Sequence, residues 1–320
     1  MRCVILRDDD TSALTPPDTL ERLYRPFLDR RLPVNLAVIP EVATNTRMAD
    51  GSPEGYLLPF HAGRASPCGT TSLAPTPGGQ GTVHSSSMLS AETHSLGPFR
   101  IASGSPSENA QRHATLPIRA NPELVRYLKA NPGYQIVQHG CHHDPLEFDS
   151  TDRADIAHRL QRGTSALIEA GFPRPRTFVA PYDRLSRAGF VEVAFRFRVL
   201  STGWYERRRL PPSWWPAYAL KKLRHAPHWR VGHTLLLSHP GCLLSYRRPL
   251  DNMLAEVTSA VASSRLTVLV THWWEYFRDG RPDEPFIAVL HEVAAWLARQ
   301  PDVKVLAFDD LDRRLDESLD

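Results

Sequence analysis

The chain has 320 residues, 42% of them hydrophobic, with 38 Lys and Arg against 35 Asp and Glu. That length holds one large α/β domain or two ordinary ones, and the apolar fraction excludes wholesale disorder. A net charge of +3 is too small to argue for a nucleic-acid partner, and the short clusters Arg207–Arg209 and Arg247–Arg248 read as solvated surface.

Residues 2–6 predict a strand that runs into Arg7-Asp8-Asp9-Asp10. A helix is predicted over 16–31, opened by Pro16 and Pro17, with Leu20, Leu23, Tyr24, Phe27 and Leu28 at helical spacing. A second strand over 34–39 stops at Pro40. From Gly63 to Ala114 the chain is rich in Gly, Ser, Thr, Pro and isolated His. The segment 63–114 is therefore read as a low-complexity, mobile surface insertion within a domain spanning 1–320. His61, His84, His94 and His113 are expected to be exposed and inert, with a lid over the site as the alternative.

Alternation then resumes. Helices are predicted over 122–130, 151–170 (ended by Gly171), 250–263 and 285–299. Strands are predicted over 134–138, 176–180, 198–201, 233–238, 266–270 and 303–308. The stretch 205–229 is aromatic, basic and broken by Pro, and receives no assignment. Strands interleaved with helices predict an α/β fold, a distorted (β/α) barrel of seven to eight parallel strands, with its chemistry at the strand C-terminal ends. No glycine fingerprint or P-loop follows a strand, which removes support for nucleotide-binding folds. Cys3, Cys68, Cys141 and Cys242 are irregularly spaced, as in reduced thiols. No secretory leader and no membrane-length apolar run is visible. The expectation is a cytoplasmic protein with no membrane partner, acting on an intracellular substrate, with its oligomeric state open.

Several strands end on reactive side chains. His139 and His143, four apart, would share a face on one helical turn and grip one ion. Gly140 stands where a metalloprotease has Glu, so a protease is disfavoured. A third ligand is sought in Asp8-Asp9-Asp10, whose mutual repulsion itself argues for a cation. The bland readings are turn or surface histidines, and a turn with a helix cap at Asp8–Ser12. His142 competes with His143.

Arg7-Asp8-Asp9-Asp10-Thr11-Ser12, His139-Gly140-Cys141-His142-His143, Val179-Ala180-Pro181-Tyr182 and Val268-Leu269-Val270-Thr271-His272 resemble, in order, four motifs of the polysaccharide deacetylase family (carbohydrate esterase family four). The resemblance spans nearly the whole chain outside the insertion. It implies a distorted (β/α) barrel, a divalent metal, usually Zn2+, and hydrolysis of an N-acetyl or O-acetyl group on a sugar or oligosaccharide. It implies metal ligation by Asp10, His139 and His143, Asp9 as general base on a metal-activated water, and His272 as general acid. The Tyr182 backbone N–H would help hold the oxyanion.

The chain also departs from the pattern. Val179 replaces an arginine that supports the base, and Arg7 or Arg184 is a candidate substitute. Asp8 leaves the register open by one position, and His239 rivals His272 as acid. Trp273, Trp274 and Tyr276 either stack on a sugar or pack the rim. Two other functions share the scaffold: a metal-assisted amidohydrolase on a non-sugar amide, and a non-catalytic carbohydrate-binding barrel.

Overall fold

The structure is a computed structural model that describes residues 1–48, 50–57, 114–278 and 280–311. The predicted insertion lies outside them except for Ala114, and so do Cys68, His61, His84, His94 and His113. All eight predicted strands form: β1 (Arg2–Thr11), β2 (Val34–Val38), and, after the short β3 (Glu41–Ala43) and β4 (Thr115–Pro117), β5 (Tyr134–His139), β6 (Thr177–Val179) and β7 (Val199–Thr202). Then come β8 (Trp229–Val231), β9 (Thr234–Ser238), β10 (Leu266–His272), the two-residue β11 (Phe277–Arg278) and β12 (Arg281–Pro282), and β13 (Val303–Val305). Predicted helices appear as Pro17–Leu28, Pro122–Ala130, Arg153–Glu169, Leu250–Ser263 and Glu284–Arg299.

The main sheet runs β10-β1-β2-β5-β6-β7-β9-β8, with β13 beside the start of β1. Every pairing is parallel except that of the edge strand β8 with β9. This is the predicted distorted barrel. Among the described residues no ladder joins β9 to β10. His228 spans that seam instead: its Nδ1 accepts from Ser238 N at 3.3 Å, leaving Nε2–H to donate to Leu266 O at 2.7 Å.

Alternation decides what each strand residue faces. Ile5, Ala37, Val137, Val179, Leu237, Val268 and Val270 pack inside the barrel, whose floor is plugged by Leu306, Phe308 and Leu311. Buried Asn35 ties that plug in place, donating to Leu6 O at 2.9 Å and accepting from Phe308 N at 2.8 Å. Val4, Leu6 and Leu269 face outward, onto the helices Pro17–Leu28, Leu250–Ser263 and Glu284–Arg299. Phe178 and Leu200 face a second outer layer. There the unassigned 205–229 stretch packs Trp214 and Trp229 against Tyr205 and Phe190, and it includes a helix, Trp215–Leu223. A further helix, Arg187–Arg196, was not predicted. Among the described residues no helix is long and apolar enough to cross a membrane.

Candidate metal centre and catalytic site

Strand β1 delivers two adjacent carboxylates through a break in its own regularity. Arg7 and Asp9 share the inward face with Ile5, while Asp8 faces out; there its Oδ2 accepts from Thr11 Oγ1 at 3.3 Å. Burial pushes the Asp8 carboxyl well above the usual carboxylate range. The register against β2 shifts between Asp8 and Thr11, and Asp10 takes φ 72°. This bulge turns Asp10 to the side of Asp9 and away from Asp8.

Asp10 meets both histidines. Its Oδ1 lies 3.3 Å from His139 Nε2 and 3.2 Å from His143 Nε2. The sequence reading placed these histidines on a helical turn, and the structure corrects it. His139 ends β5, and the chain returns through Gly140 (φ 64°) and His143 (φ 62°) without a helix. What holds this loop is Glu147, a buried carboxylate that accepts from the N–H groups of Cys141 (3.2 Å), His142 (2.9 Å) and His143 (3.1 Å). A Cβ on Gly140 would stand 2.6 Å from Glu147 Oε2 and 2.7 Å from Pro181 Cγ, so glycine is required there for space as well as for φ. His142 turns away, its Nδ1 2.9 Å from Glu41 O.

Three features fit a cation among Asp10, His139 and His143. Their ligand atoms all lie within 4.8 Å of one another. Ligands at ~2.1 Å from a tetrahedral ion sit about 3.4 Å apart, close to the separations found. Asp10 Oδ1 and His143 Nδ1 are buried without a hydrogen-bond partner among the described residues. His139 Nδ1 is 3.1 Å from Val179 O, which fixes the tautomer and frees Nε2 as a donor to an ion. Burial would raise the Asp10 carboxyl, but the facing imidazoles of His143, His139 and His272 outweigh it and hold it far below the usual range. Burial acts the other way on His143 and lowers its pKa, against the pull of Asp10. Two indoles complete the support: Trp273 Nε1 donates to Asp10 O (3.0 Å) and Trp274 Nε1 to Asp10 Oδ2 (2.9 Å). Trp273 is buried, and Tyr276 is buried and stacked on Phe286 at 4.0 Å. Both therefore pack the rim instead of offering a face to a sugar.

Asp9 Oδ2 accepts from Arg7 Nη2 at 2.6 Å, and Arg7 Nη1 donates to Ser201 Oγ at 2.8 Å. Arg7, only 2% exposed, is thus the guanidinium beside Asp9, while Val179 packs inside the barrel. Arg184 is engaged elsewhere, with Asp149 at 2.7 Å. His272 ends β10 in register with Asp9. Its Nδ1 is 3.4 Å from Glu275 Oε1. Burial would lower His272, but Glu275, Cys242 and Asp10 outweigh it and raise it well above the ordinary imidazole value. His239 has both ring nitrogens occupied: Nδ1 accepts from Gly241 N (3.1 Å) and Nε2–H donates to Asp183 Oδ2 (2.9 Å).

Tyr182 adopts φ 52° after β6, lays its ring 4.6 Å from that of His143, and donates its hydroxyl to Glu54 Oε2 at 3.1 Å. Glu54, Glu147, Asp183 and Glu275 all escaped the sequence reading. Glu147 and Glu275 follow His143 and His272 by four and three positions, a spacing that could have drawn notice. Glu54 sits in a segment without any pattern.

No family model and no curated protein matches the sequence. Solved structures do. A Mycobacterium smegmatis protein named as a polysaccharide deacetylase matches with TM-score 0.53 at 15% identity, over 99% of this chain and 91% of that one. A Pseudomonas aeruginosa protein of the same description matches with TM-score 0.53 at 11% identity, over 98% of this chain and 91% of that one. In architecture, the chain has the polysaccharide deacetylase-like fold.

Proposed function

We propose that the chain is a metal-dependent hydrolase that removes an acetyl group from the nitrogen, or the oxygen, of a sugar or glycan-like substrate. One observation carries this reading: Asp10, His139 and His143 converge beside an arginine-held Asp9 that stands in register with His272. Two imidazoles and one carboxylate would hold a divalent ion, and Zn2+ suits that donor set. Such an ion supplies Lewis acidity, polarising the acetyl carbonyl and acidifying a water.

The remaining work falls to the chain. Asp9, oriented by Arg7, takes the proton of the attacking water. His272, whose pKa Glu275 and Asp10 raise against burial, hands a proton to the departing amine. The Tyr182 backbone N–H helps hold the developing oxyanion, and its ring shields His143. His239, bound at both nitrogens, is the weaker candidate for the acid. The non-catalytic reading drew on the missing third-motif arginine, and the Arg7–Asp9 pair takes that support away.

Metal content and acetate release from a panel of N-acetyl sugars test the proposal. Asp9→Asn should keep its metal and lose about 10²–10⁴-fold in turnover. His139→Ala should lose the metal as well. Full metal content in His139→Ala would show that the ligands are misassigned, and turnover of only non-sugar amides would redirect the substrate class.

A further inference from the structure

The segment just before the insertion closes one side of the site. Glu54, Gly55, Tyr56 and Leu57 form a strap, a tight turn closed by Leu57 N to Glu54 O (2.9 Å) and tied to Thr46 O through Glu54 N (3.1 Å). The Tyr56 ring meets His143 edge-on at 5.5 Å. Gly55 is pressed on the Trp274 indole so closely that a Cβ there would fall 2.4–2.5 Å from three ring atoms. Glu54, 6% exposed, takes the Tyr182 hydroxyl. The strap is no loose flap, because Tyr56 and Leu57 belong to the main apolar core.

Exposure at the site is correspondingly one-sided. The side chains of Asp10, His139 and His143 are 5%, 3% and 4% exposed. Those of His272 and Asp183 reach 19% and 18%. The ligand cluster is thus the most buried part of the site, and the side chains that keep some exposed surface are those of His272 and Asp183. A polymer threaded through a site needs a cleft open on both sides of the reacting acetyl group. Here one side is occupied by core-packed chain.

We infer that the Glu54–Leu57 strap restricts the site to an acyl group on a small molecule or on the terminal residue of an oligosaccharide, and excludes interior units of a polymer. The inference rests on the deacetylase reading for its chemistry and on the strap for its shape. The test uses the full-length, Zn2+-loaded protein in two measurements. The first compares acetate release from N-acetylglucosamine with release from a soluble, partly acetylated chitosan, per acetyl group. The monosaccharide should be favoured by about tenfold or more in kcat/KM. The second is calorimetric and needs no turnover. Acetohydroxamate should bind, and the same group carried mid-chain on dextran through a short linker should bind about tenfold or more weakly. Equal release per acetyl group from both substrates overturns the strap's role and leaves the deacetylase reading standing. Equal hydroxamate binding overturns it too. Size-selective hydroxamate binding without acetate release from either substrate keeps the strap and sinks the deacetylase reading.

Discussion

Replacing Arg7 separates a supported base from an unsupported one. Its guanidinium is 2% exposed, lies 2.6 Å from Asp9 and 4.0 Å from Asp183, and donates to Ser201 at 2.8 Å. Arg7→Met would take from Asp9 the guanidinium that holds it. Breaking a buried pair by removing one partner costs about 3–5 kcal/mol. Each kcal/mol lowers Tm by about 2–4 °C in a domain of some 200 residues, so a drop of roughly 10 °C is expected. Arg7→Lys keeps the charge but not the two-pronged geometry, and should recover part of that loss. Thermal unfolding by circular dichroism reads the stability of both variants. Acetate release per folded protein adds what packing alone would not move: in Arg7→Met turnover should fall, because Asp9 loses the guanidinium that orients it, and Arg7→Lys should recover part of it. A normal Tm together with undiminished turnover in Arg7→Met would refute the argument.

Glu54 is pushed up to about 7, chiefly by burial and then by the charge of Asp10. A carboxyl whose folded value exceeds its unfolded value of 4.5 weakens the fold as pH rises through that window. In metal-free protein, Glu54→Gln should therefore gain stability over wild type at pH 8 and much less at pH 4, as thermal melts would show; equal gains at both would count against it. Gly140→Ala must hold φ 64° and meet Glu147. It should cost about 1–2 kcal/mol from backbone conformation alone and weaken Zn2+ binding in a competitive chelator titration, and unchanged affinity would contradict the role given to this loop. Burial lowers the His228 pKa, so the neutral, bridging imidazole stabilises above the unfolded value of 6.5 and loses that effect as pH falls. His228→Ala should lower Tm more at pH 8 than at pH 5, and a pH-independent loss would mean that the seam bridge contributes little.

Much of the architecture was legible because buried parallel strands leave short apolar runs ending on breakers or reactive residues. Cys3–Leu6, Thr234–Leu237 and Thr267–Val270 are such runs, and each lies in the main sheet. The helix Arg187–Arg196 escaped because its apolar residues are not gathered on one face. In the site, residue types were legible but local conformation was not. The spacing of His139 and His143 suits a helical turn, yet Gly140 and Glu147 impose a loop, and only a side chain packed from beyond the motif decides between them. Which of Asp8, Asp9 and Asp10 faces inward depended on a bulge, a backbone event that no periodicity announces. Glu54 and the strap were illegible for a plainer reason: their meaning lies wholly in contacts with His143, Tyr182 and Trp274, all more than 80 positions away.

Glu147 uncouples shape from cargo. In small zinc domains the ion itself organises the chain, and stripping it unfolds the protein. Here a carboxylate already gathers three successive amides and fixes the curve on which both imidazoles ride. On the proposed reading the loop would take its shape without an ion, so the metal held there would be set by cellular supply and donor preference, and one ion could be exchanged for another in the folded state.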